Sequence, residues 1–359
     1  MRGHTDRRGF EGAARSRRAR LHGVQRSTRL GRSRPRERGA RHFAATSTAR
    51  CPSSTRRRAG AVPMLGRMSI DLNAASRFMA GHARLLDRWR FAALLGAGSS
   101  DAVLAALRGY RNPDGGYGSG LEPDLRAVGS QPSAAFHAFE VLAELPADAA
   151  AADARALADW LMTVTLPDGG LRFAVPIDDP TACAPFWVGA DSTVSSLQIT
   201  SIVATHAHRV PSIAGHPWLD RATAYCLRAI DALDGPPHAL VLAFAVKFLD
   251  AVHGTIPEAA GLLQRLGRFV PGDGLVPVEG GLADETMRPL DFAPLPGGPA
   301  RALFAASVID AELDRLAALQ RDDGGWTTDF ASYSPAAAFD WRGYKTVEAV
   351  ALLRANGRI

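Results

Sequence analysis

The chain has 359 residues, of which 47% are hydrophobic and 22% charged, so it is long and apolar enough to form a sizeable globular core. The charge is divided between two unlike parts: residues 1–67 carry a net charge of +16, whereas residues 68–359 carry −10. A basic, nucleic-acid-binding globular domain is therefore excluded for the larger part. The longest wholly apolar run, Ala239–Val246, is far shorter than the roughly 20 residues that a membrane-spanning helix needs, so we predict no membrane span.

Cysteine usage indicates the compartment. Cys51, Cys183 and Cys226 are too few and too scattered for a disulfide framework or a thiolate zinc site. Such scarcity is typical of a reducing environment, so we expect a cytoplasmic protein.

The first 67 residues form a separate, basic segment. They contain 19 Arg and no Lys, show no apolar periodicity, and cannot bury enough surface to offset the entropy of ordering, so we predict a disordered tail. An Arg-rich arm could bind nucleic-acid phosphates, or the segment could be an organelle transit peptide; a secretory signal is excluded because no apolar central region is present. The preferred interpretation is a mis-set start, with translation beginning at Met64 or Met68. Lysine occurs only at positions 247 and 345, which indicates GC-biased codons whose upstream frames become Arg-rich.

A glycine turn motif recurs through the remaining residues. Its copies are Asp114-Gly115-Gly116-Tyr117, Asp168-Gly169-Gly170-Leu171, the degenerate Asp273-Gly274-Leu275, and Asp323-Gly324-Gly325-Trp326. The last glycines of successive copies are 54, 104 and 51 residues apart. The middle interval is twice a period of about 52, so one copy has lost its turn near residue 222. A period of this length corresponds to two helices and two connections.

Helices are predicted on both sides of each turn. Amphipathic segments precede the turns at Ala102–Tyr110, Ala154–Val164, Trp218–Leu233, Pro257–Phe269 and Ala302–Gln320. More apolar segments follow them at Pro132–Leu145, Thr193–His206, Ala239–Val252 and Arg342–Ala355, and an extra helix, about Asn73–Leu95, comes first. Helices that are apolar on most sides are buried, and helices with one apolar face lie outside them. The alternation predicts an all-α fold, a single α/α toroid of about five helical hairpins over residues 68–359.

Two of the turns carry a longer pattern. Gln320-Arg-Asp-Asp-Gly324-Gly-Trp326 follows Gln-x-x-x-Gly-x-Trp, and Arg111-Asn-Pro-Asp-Gly115-Gly-Tyr117 is a variant of it. These segments resemble the QW repeats of squalene–hopene cyclases and related terpene cyclases, whose α/α toroid is shared by protein prenyltransferase β-subunits. The chain is also similar to small single-toroid bacterial proteins described as prenyltransferase-like. The resemblance covers most of residues 72–359 and implies a central cavity for an isoprenoid or other apolar small molecule.

Acidic side chains stand before the predicted buried helices, at Glu122, Asp124, Asp191 and Asp340, and in the 281–297 loop at Asp291. In a toroid, the buried helices all begin at one end of the ring. We therefore expect these carboxylates to converge on one mouth of the cavity.

Asp191 is the candidate general acid. Gly189-Ala190-Asp191-Ser192-Thr193 resembles the Asp-x-Asp-Asp-Thr motif of proton-initiated cyclases, in which the middle Asp donates its proton to an alkene; Gly189 and Ser192 replace its first and third acids. Asp340 is a second catalytic candidate. Alternatively, Asp191 and Ser192 are N-caps of the next helix, where a carboxylate also meets the positive end of the helix dipole.

Further side chains are candidates for substrate binding: Glu122, Asp124, His137, Phe186, Trp187, Trp341 and Tyr344. The aromatic faces among them could stabilise cations. His137 lies on the polar stripe of its helix and could reach a cavity, although a structural histidine is the alternative. Trp187 and Trp341 could equally belong to the core.

The sequence lacks the residue patterns that metal and cofactor sites require. Asp178-Asp179 is followed by Pro180 and not by the spacing of an Asp-Asp-x-x-Asp magnesium site, and neither Cys183 nor Cys226 carries the prenyltransferase zinc pattern. His206 and His208 are two apart on a helix and point to different faces. We therefore predict no metal and no cofactor.

Three functional hypotheses remain. The first is an isoprenoid enzyme, cyclase-like or prenyl-transferring, which requires a deep aromatic cavity. The second is a non-catalytic toroid that binds an apolar ligand or a protein partner. The third is a glycan-active α/α barrel, which requires two carboxylates about 5–9.5 Å apart in an open polar groove. The sequence does not indicate an oligomeric state.

Overall fold

The computed structural model describes residues 70–359, and these residues are mostly helical. The α-helices are α1 (Leu72–His82), α2 (Leu85–Leu94), α3 (Ser100–Arg108), α4 (Pro132–Ala143), α5 (Ala147–Val164), α6 (Pro185–Val188), α7 (Leu197–Ala207), α8 (Pro217–Asp231), α9 (Ala239–Val252), α10 (Glu258–Gly267), α11 (Pro289–Phe292), α12 (Ala306–Ala318) and α13 (Pro335–Ala355). Short 3-10 helices cover Pro211–Ile213 and Pro299–Leu303. Strands β1 (Val276–Pro277) and β2 (Thr286–Met287) pair antiparallel. The prediction of an all-α fold is confirmed, while the predicted tail, residues 1–67, lies outside the described residues.

The apolar helices pack against one another in chain order. Helix α4 contacts α7, α7 contacts α9, and α9 contacts α11. Amphipathic helices cover them: α3 and α5 contact α4, α8 contacts α7, and α10 contacts α9. The last helix, α13, contacts α12 and also α1 and α2, so the two ends of residues 70–359 meet in space.

The three Gly-Gly turns share one backbone geometry. In each, the Asp carboxylate accepts a hydrogen bond from the N–H of the second glycine, in the pairs Asp114–Gly116, Asp168–Gly170 and Asp323–Gly325. The first glycine has a positive φ: 91° at Gly115, 94° at Gly169 and 93° at Gly324. L-residues with a Cβ rarely adopt this conformation, which explains why glycine recurs at this position.

Each of these turns also packs against the backbone of an amphipathic helix. A Cβ on Gly115 would lie 2.7 Å from the carbonyl oxygen of Ala156 in α5, and a Cβ on Gly169 would lie 2.7 Å from that of Arg221 in α8. In both cases the contacted helix is the one that follows the turn along the chain. The last turn contacts the first helix instead, because a Cβ on Gly324 would overlap the carbonyl group of Ala74 in α1. Helix α1 therefore takes the place that α5 and α8 take for the earlier turns.

Gln320 joins the same two ends by hydrogen bonds. Its side-chain oxygen accepts from the N–H of Asp71 at 2.7 Å, and its amide nitrogen donates to the Asp71 carbonyl at 2.8 Å. The same nitrogen donates to the Gly324 carbonyl at 3.0 Å. Asp71 in turn caps α1 by accepting from the N–H of Ala74 at 2.9 Å. The glutamine of the Gln-x-x-x-Gly-x-Trp pattern thus links the last turn to the start of the first helix.

The lost turn corresponds to the connection that follows α8. Residue 222, where the period predicts it, lies within that helix. Helices α8 and α9 are joined by residues 232–238, which contain no glycine pair. A groove of about 480 Å³ lies between α8 and α10, lined by Leu227, Arg228, Asp231, Glu258, Gly261, Leu262 and Arg265. In the complete repeats, a Gly-Gly turn packs on the next amphipathic helix; without the turn, the α8–α10 groove stays open.

Several predicted helix boundaries are wrong: α5 begins at Ala147 and not at Ala154, and α12 begins at Ala306 and not at Ala302. Three further differences have local reasons. The leading helix is two helices, α1 and α2, because Ala83 and Arg84 have extended backbone. Helix α7 begins at Leu197 and not at Thr193, with Ser196 as its N-cap. Helix α13 begins at Pro335, capped by Ser334, seven residues before the predicted start.

None of the helices in residues 70–359 has both the length and the apolar character that crossing a bilayer would require. Within the same residues, Cys183 is partly buried and Cys226 fully buried, and both are free thiols.

Replacing Gly324 by alanine tests the contact between the last turn and α1. We expect Gly324→Ala to lower the free energy of unfolding by about 3 kcal/mol or more, because it combines a positive φ with overlap onto the Ala74 carbonyl. Gly96→Ala is the matched control: Gly96 has φ of 79°, but an added methyl group would meet no atom within 4 Å, so it should lose only about 1 kcal/mol. Denaturant unfolding of both variants measures the difference, and equal losses would contradict the packing argument.

Candidate functional site

A loop over residues 118–131 brings two predicted carboxylates against α4 and α13. Glu122 and Asp124 are only 5% and 4% exposed. The Glu122 carboxylate lies 2.9 Å from Nε2 of His137. The Asp124 carboxylate accepts from Nε1 of Trp341 at 2.7 Å and from the N–H of Tyr333 at 2.9 Å. Four of the predicted substrate-binding residues therefore meet in one buried polar network.

The network extends to residues that the sequence analysis did not select. Glu140, one turn after His137 on α4, accepts hydrogen bonds from the guanidinium of Arg90 at 3.1 Å and from the hydroxyl of Tyr344 at 3.2 Å. Nδ1 of His137 lies 3.7 Å from the other oxygen of Glu140, and both atoms are buried without a hydrogen-bond partner among the described residues. Arg90 also pairs with Glu144 at 2.6 Å. The spacing of His137 and Glu140 on one polar stripe is the signal in the sequence that points to Glu140.

Two arginine side chains join the 118–131 loop to the helices around it. Arg84 donates to the carbonyls of Gly120 and Leu121 at 3.1 and 3.0 Å, which fixes the loop to the start of α2. Arg126 forms a salt bridge of 2.6 Å with Asp340 on α13. Asp340, a predicted catalytic residue, is thus engaged in joining the loop to the last helix.

Burial and charge pairing have opposite effects on the pKa values of His137 and Glu140, and charge pairing outweighs burial in both residues. Burial by itself lowers the pKa of His137, but the carboxylates of Glu122 and Glu140 outweigh it and raise that pKa above the ordinary value. Burial alone raises the pKa of Glu140, and Arg90 and His137 outweigh it and bring that pKa well below the usual range. Both shifts favour the charged forms of these two side chains, and hydrogen bonds between opposite charges are the stronger kind.

Asp124 differs from Glu140 in the direction of its pKa shift. Burial raises its pKa, although the hydrogen bonds from Tyr333 and Trp341 act in the opposite direction. A carboxyl with a raised pKa in a buried site is the kind of group that can hold a proton for transfer.

Aromatic rings enclose the histidine. The ring of Phe136 lies 3.9 Å from that of His137 between centroids, and those of Tyr344 and Trp341 lie 5.2 and 5.9 Å away. Phe330 packs edge-on against Trp341 at 5.0 Å. The polar network is therefore surrounded on several sides by apolar surface.

A second aromatic group, the aromatic patch, consists of Phe173, Phe186, Trp187 and Tyr333. Phe173 stacks on Trp187 at 4.6 Å, and Phe186 meets Tyr333 edge-on at 5.4 Å. Phe186 and Tyr333 are 45% and 47% exposed. Trp187 is buried, and its Nε1 has no hydrogen-bond partner within residues 70–359.

The aromatic patch adjoins the buried network through backbone contacts. The N–H of Tyr333 donates to the Asp124 carboxylate at 2.9 Å. The N–H of Ala184, just before Phe186 and Trp187, donates to the Asp124 carbonyl at 2.8 Å. Asp124 is therefore the residue that connects the exposed aromatic surface to the buried charges.

Asp191, the candidate general acid, lies at an exposed turn. Its Oδ1 accepts from the backbone N–H of Thr193 at 2.8 Å and from the Thr193 hydroxyl at 2.6 Å. These bonds lower the pKa of Asp191, so they favour the ionised form and not a proton donor. The predicted capping role is placed elsewhere, because Ser196 is the N-cap of α7.

The only two lysines of the chain, Lys247 on α9 and Lys345 on α13, are absent from the predicted site residues. Both are partly buried. The sequence shows that lysine is rare, but GC-biased codon usage explains this rarity without a functional role. Among residues 70–359, no group of three or more His, Cys, Asp or Glu is arranged to hold a metal ion.

The chain was compared with protein-family models and with curated proteins. No family model matches the chain, and no curated protein is significantly similar to it.

The raised pKa of His137 predicts a pH-dependent stability. A histidine whose pKa is raised on folding stabilises the fold fully below the unfolded value of about 6.5, and that contribution is lost as pH rises through the folded value. We expect His137→Gln to lower the free energy of unfolding by about 1–3 kcal/mol at pH 6, with the gap to wild type narrowing toward pH 8.5.

Denaturant midpoints measured between about pH 6 and 8.5 check this expectation. His253→Gln, at an exposed position at the end of α9, is the matched control and should show no such narrowing. A gap for His137→Gln that stays constant over this range would show that the imidazole is neutral in the folded protein.

Proposed function

We propose that residues 70–359 form a closed α/α toroid in which the amphipathic helices α1, α3, α5, α8, α10 and α12 alternate with α2, α4, α7, α9, α11 and α13. Two observations support this arrangement. The last Gly-Gly turn packs on α1 as the earlier turns pack on α5 and α8, and α13 contacts α1 and α2. Six such pairs exceed the five predicted from the sequence, since the leading segment supplies two helices.

We further propose that this toroid binds an isoprenoid-class ligand at the aromatic patch, next to Asp124, as the resemblance to terpene cyclases and prenyltransferases implies. The observation that carries the proposal is the half-exposed pair Phe186 and Tyr333 packed beside Phe173 and Trp187. Large aromatic side chains left together at a surface mark a place where an apolar ligand removes area from water.

Segment 189–193 resembles the acidic motif of proton-initiated cyclases, but its surroundings do not favour a proton donor there. We therefore favour ligand binding over cyclase chemistry at this motif. Asp191 is exposed and held ionised by Thr193, and Asp340 is paired with Arg126. If a proton is transferred to a ligand, Asp124 is the better donor, because it is buried, has a raised pKa and adjoins the aromatic patch.

The glycan hypothesis has less support. It requires two carboxylates free to act on a sugar, whereas Glu122 is engaged by His137 and Glu140 is engaged by Arg90 and Tyr344. The apolar-ligand hypothesis needs no free carboxylate pair.

Ligand titration tests the proposal. The protein is titrated with farnesyl diphosphate, squalene and maltohexaose, and binding is followed by tryptophan fluorescence, to which the buried Trp187 in the aromatic patch contributes. We expect the isoprenoids to bind and the sugar not to bind. Phe186→Ala should weaken isoprenoid binding about tenfold, because truncating a central aromatic contact costs on the order of 1–2 kcal/mol.

Two controls make the outcome specific. Asp191→Asn should bind as wild type does, since Asp191 contacts only its own turn, and circular dichroism should show that both variants are folded. Binding of maltohexaose alone would favour the glycan hypothesis, and binding of none of the three ligands would contradict a small-molecule site at the patch.

A further inference from the structure

The groove between α8 and α10 lies where the lost Gly-Gly turn would pack. In the complete repeats, each turn lies between the end of one amphipathic helix and the next such helix: the turn at Gly115 follows α3 and contacts α5, and the turn at Gly169 follows α5 and contacts α8. Helix α8 is followed by residues 232–238, which contain no glycine pair. The groove of about 480 Å³ opens between the second half of α8 and α10, at the place of the missing turn.

The three occupied positions, which we call turn seats, share one pattern on the helix that receives the turn. A backbone carbonyl of that helix lies against the first glycine, and an aromatic ring four residues later lies against the second. These residue pairs are Ala74 and Phe78 on α1, Ala156 and Trp160 on α5, and Arg221 and Tyr225 on α8. A Cβ on the second glycine would come within 2.6 to 2.8 Å of each ring, so every seat fits a turn whose two glycines lack side chains.

Helix α10 presents an open seat of the same kind. Gly261 and Arg265, four residues apart, both line the groove. A methyl group on Gly261 would meet no atom within 4 Å, so the backbone of α10 is accessible there. Half-buried Leu227 and Leu262 form apolar walls on the two helices. The groove therefore offers a turn what the occupied seats offer, a helix backbone and apolar side chains, with Arg265 in place of the aromatic ring.

The chain also carries a Gly-Gly turn that packs on no helix. Residues 279–284, which we call the hairpin tip, lie between β1 and β2 and include Glu279-Gly280-Gly281-Leu282. The first glycine has φ of 78°, in the same region as the first glycines of the seated turns, and a leucine follows the pair, as the buried Leu171 follows the turn on α8. A methyl group on Gly280 would meet no atom within 4 Å among residues 70–359, and Leu282 is 45% exposed. The tip therefore presents the glycine and the apolar side chain that the seated turns bury.

The charges of the hairpin tip and the groove are complementary. Glu279 and Asp284 at the tip are exposed carboxylates. Four charged side chains line the groove, two basic and two acidic: Arg228, Arg265, Asp231 and Glu258. Nη1 of Arg265 donates to Asp231 at 2.9 Å, and Nη2 of the exposed Arg228 already donates to a carbonyl of the preceding turn at 2.7 Å. Arginines at the groove thus suit the carbonyls and carboxylates of an acidic turn, and hydrogen bonds between guanidinium and carboxylate groups are the stronger kind.

We propose that the hairpin tip of one copy of the chain docks into the α8–α10 groove of a second copy. In this contact Gly280 lies against the α10 backbone at Gly261, as the first glycines of the seated turns lie against α1, α5 and α8, and Leu282 is removed from water between the apolar walls. Each copy carries both the tip and the groove, so reciprocal docking gives a closed dimer. The inference rests neither on the isoprenoid ligand nor on closure of the ring.

Sedimentation velocity of the full chain tests the proposal. We expect wild type to change from monomer to dimer as its concentration rises from about 1 to 200 µM. Leu282→Asp removes the apolar contact of the tip, and Gly261→Leu fills the groove, so each should weaken dimerisation about tenfold or more. The matched controls are Leu295→Asp, at a leucine 42% exposed, and Gly81→Leu, at an exposed helical glycine with no atom within 4 Å of an added methyl group; both should dimerise as wild type does. Circular dichroism should show that all four variants are folded.

Two further measurements separate this contact from others. Leu282→Asp keeps its groove and Gly261→Leu keeps its tip, so an equimolar mixture should form heterodimers at concentrations where neither variant associates alone. A photoreactive benzoylphenylalanine in place of Leu282 should cross-link to residues 227–231 or 258–265 of an isotope-labelled second copy. A wild-type chain that stays monomeric, a dimer that both variants leave unchanged, or a cross-link within one copy would overturn the proposal. Isoprenoid titration of the same samples reports on the proposed function separately, so the failure of one is distinguishable from the failure of the other.

Discussion

The contact between the last Gly-Gly turn and the first helix is the constraint on which the rest of the molecule depends. Gly324 lies against the Ala74 carbonyl, and Gln320 bonds both backbone groups of Asp71. Only a residue without a Cβ allows this approach, so one glycine lets α1 serve as the partner of the final turn. The contact thus adds to the packing of α13 against α1 and α2 at the place where the proposed ring closes.

The buried polar network lies where the first and last helices of residues 70–359 meet. Arg90 comes from α2, Glu140 from α4 and Tyr344 from α13, so the network joins early and late parts of the chain. Buried charges of this kind stabilise only when each is paired, and removing one member leaves another exposed to the full cost of desolvation. The same requirement makes the network a poor source of free carboxylates.

Unpartnered groups occur within the network, at Nδ1 of His137 and one oxygen of Glu140, and also beside it. Within the part of the chain that the structure describes, the indole N–H of Trp187 has no acceptor, two aromatic side chains of the patch are half-exposed, and Lys247 has no counterion within hydrogen-bonding distance. Each of these features is costly in a protein that binds nothing, because burial of a polar group without a partner and exposure of apolar area both lower stability. The half-exposed aromatic side chains are the features that support the proposal of an apolar ligand at the aromatic patch.

Period and composition by themselves determined that the chain is helical and where the glycine-pair turns lie, because glycine turns and apolar helices are encoded within short segments. They also selected Glu122, Asp124, His137 and Trp341 among the candidate residues, but they did not indicate that these four meet. They were misleading at Asp191, where a motif resemblance pointed to a proton donor and the turn formed with Thr193 holds an exposed carboxylate instead. Only the tertiary structure decided that Arg90 and Glu140 complete the network, that one lysine is paired and the other is not, and that the last turn meets the first helix. Burial and pairing depend on contacts between residues as much as 249 positions apart, as between Asp71 and Gln320, and no local pattern specifies those partners.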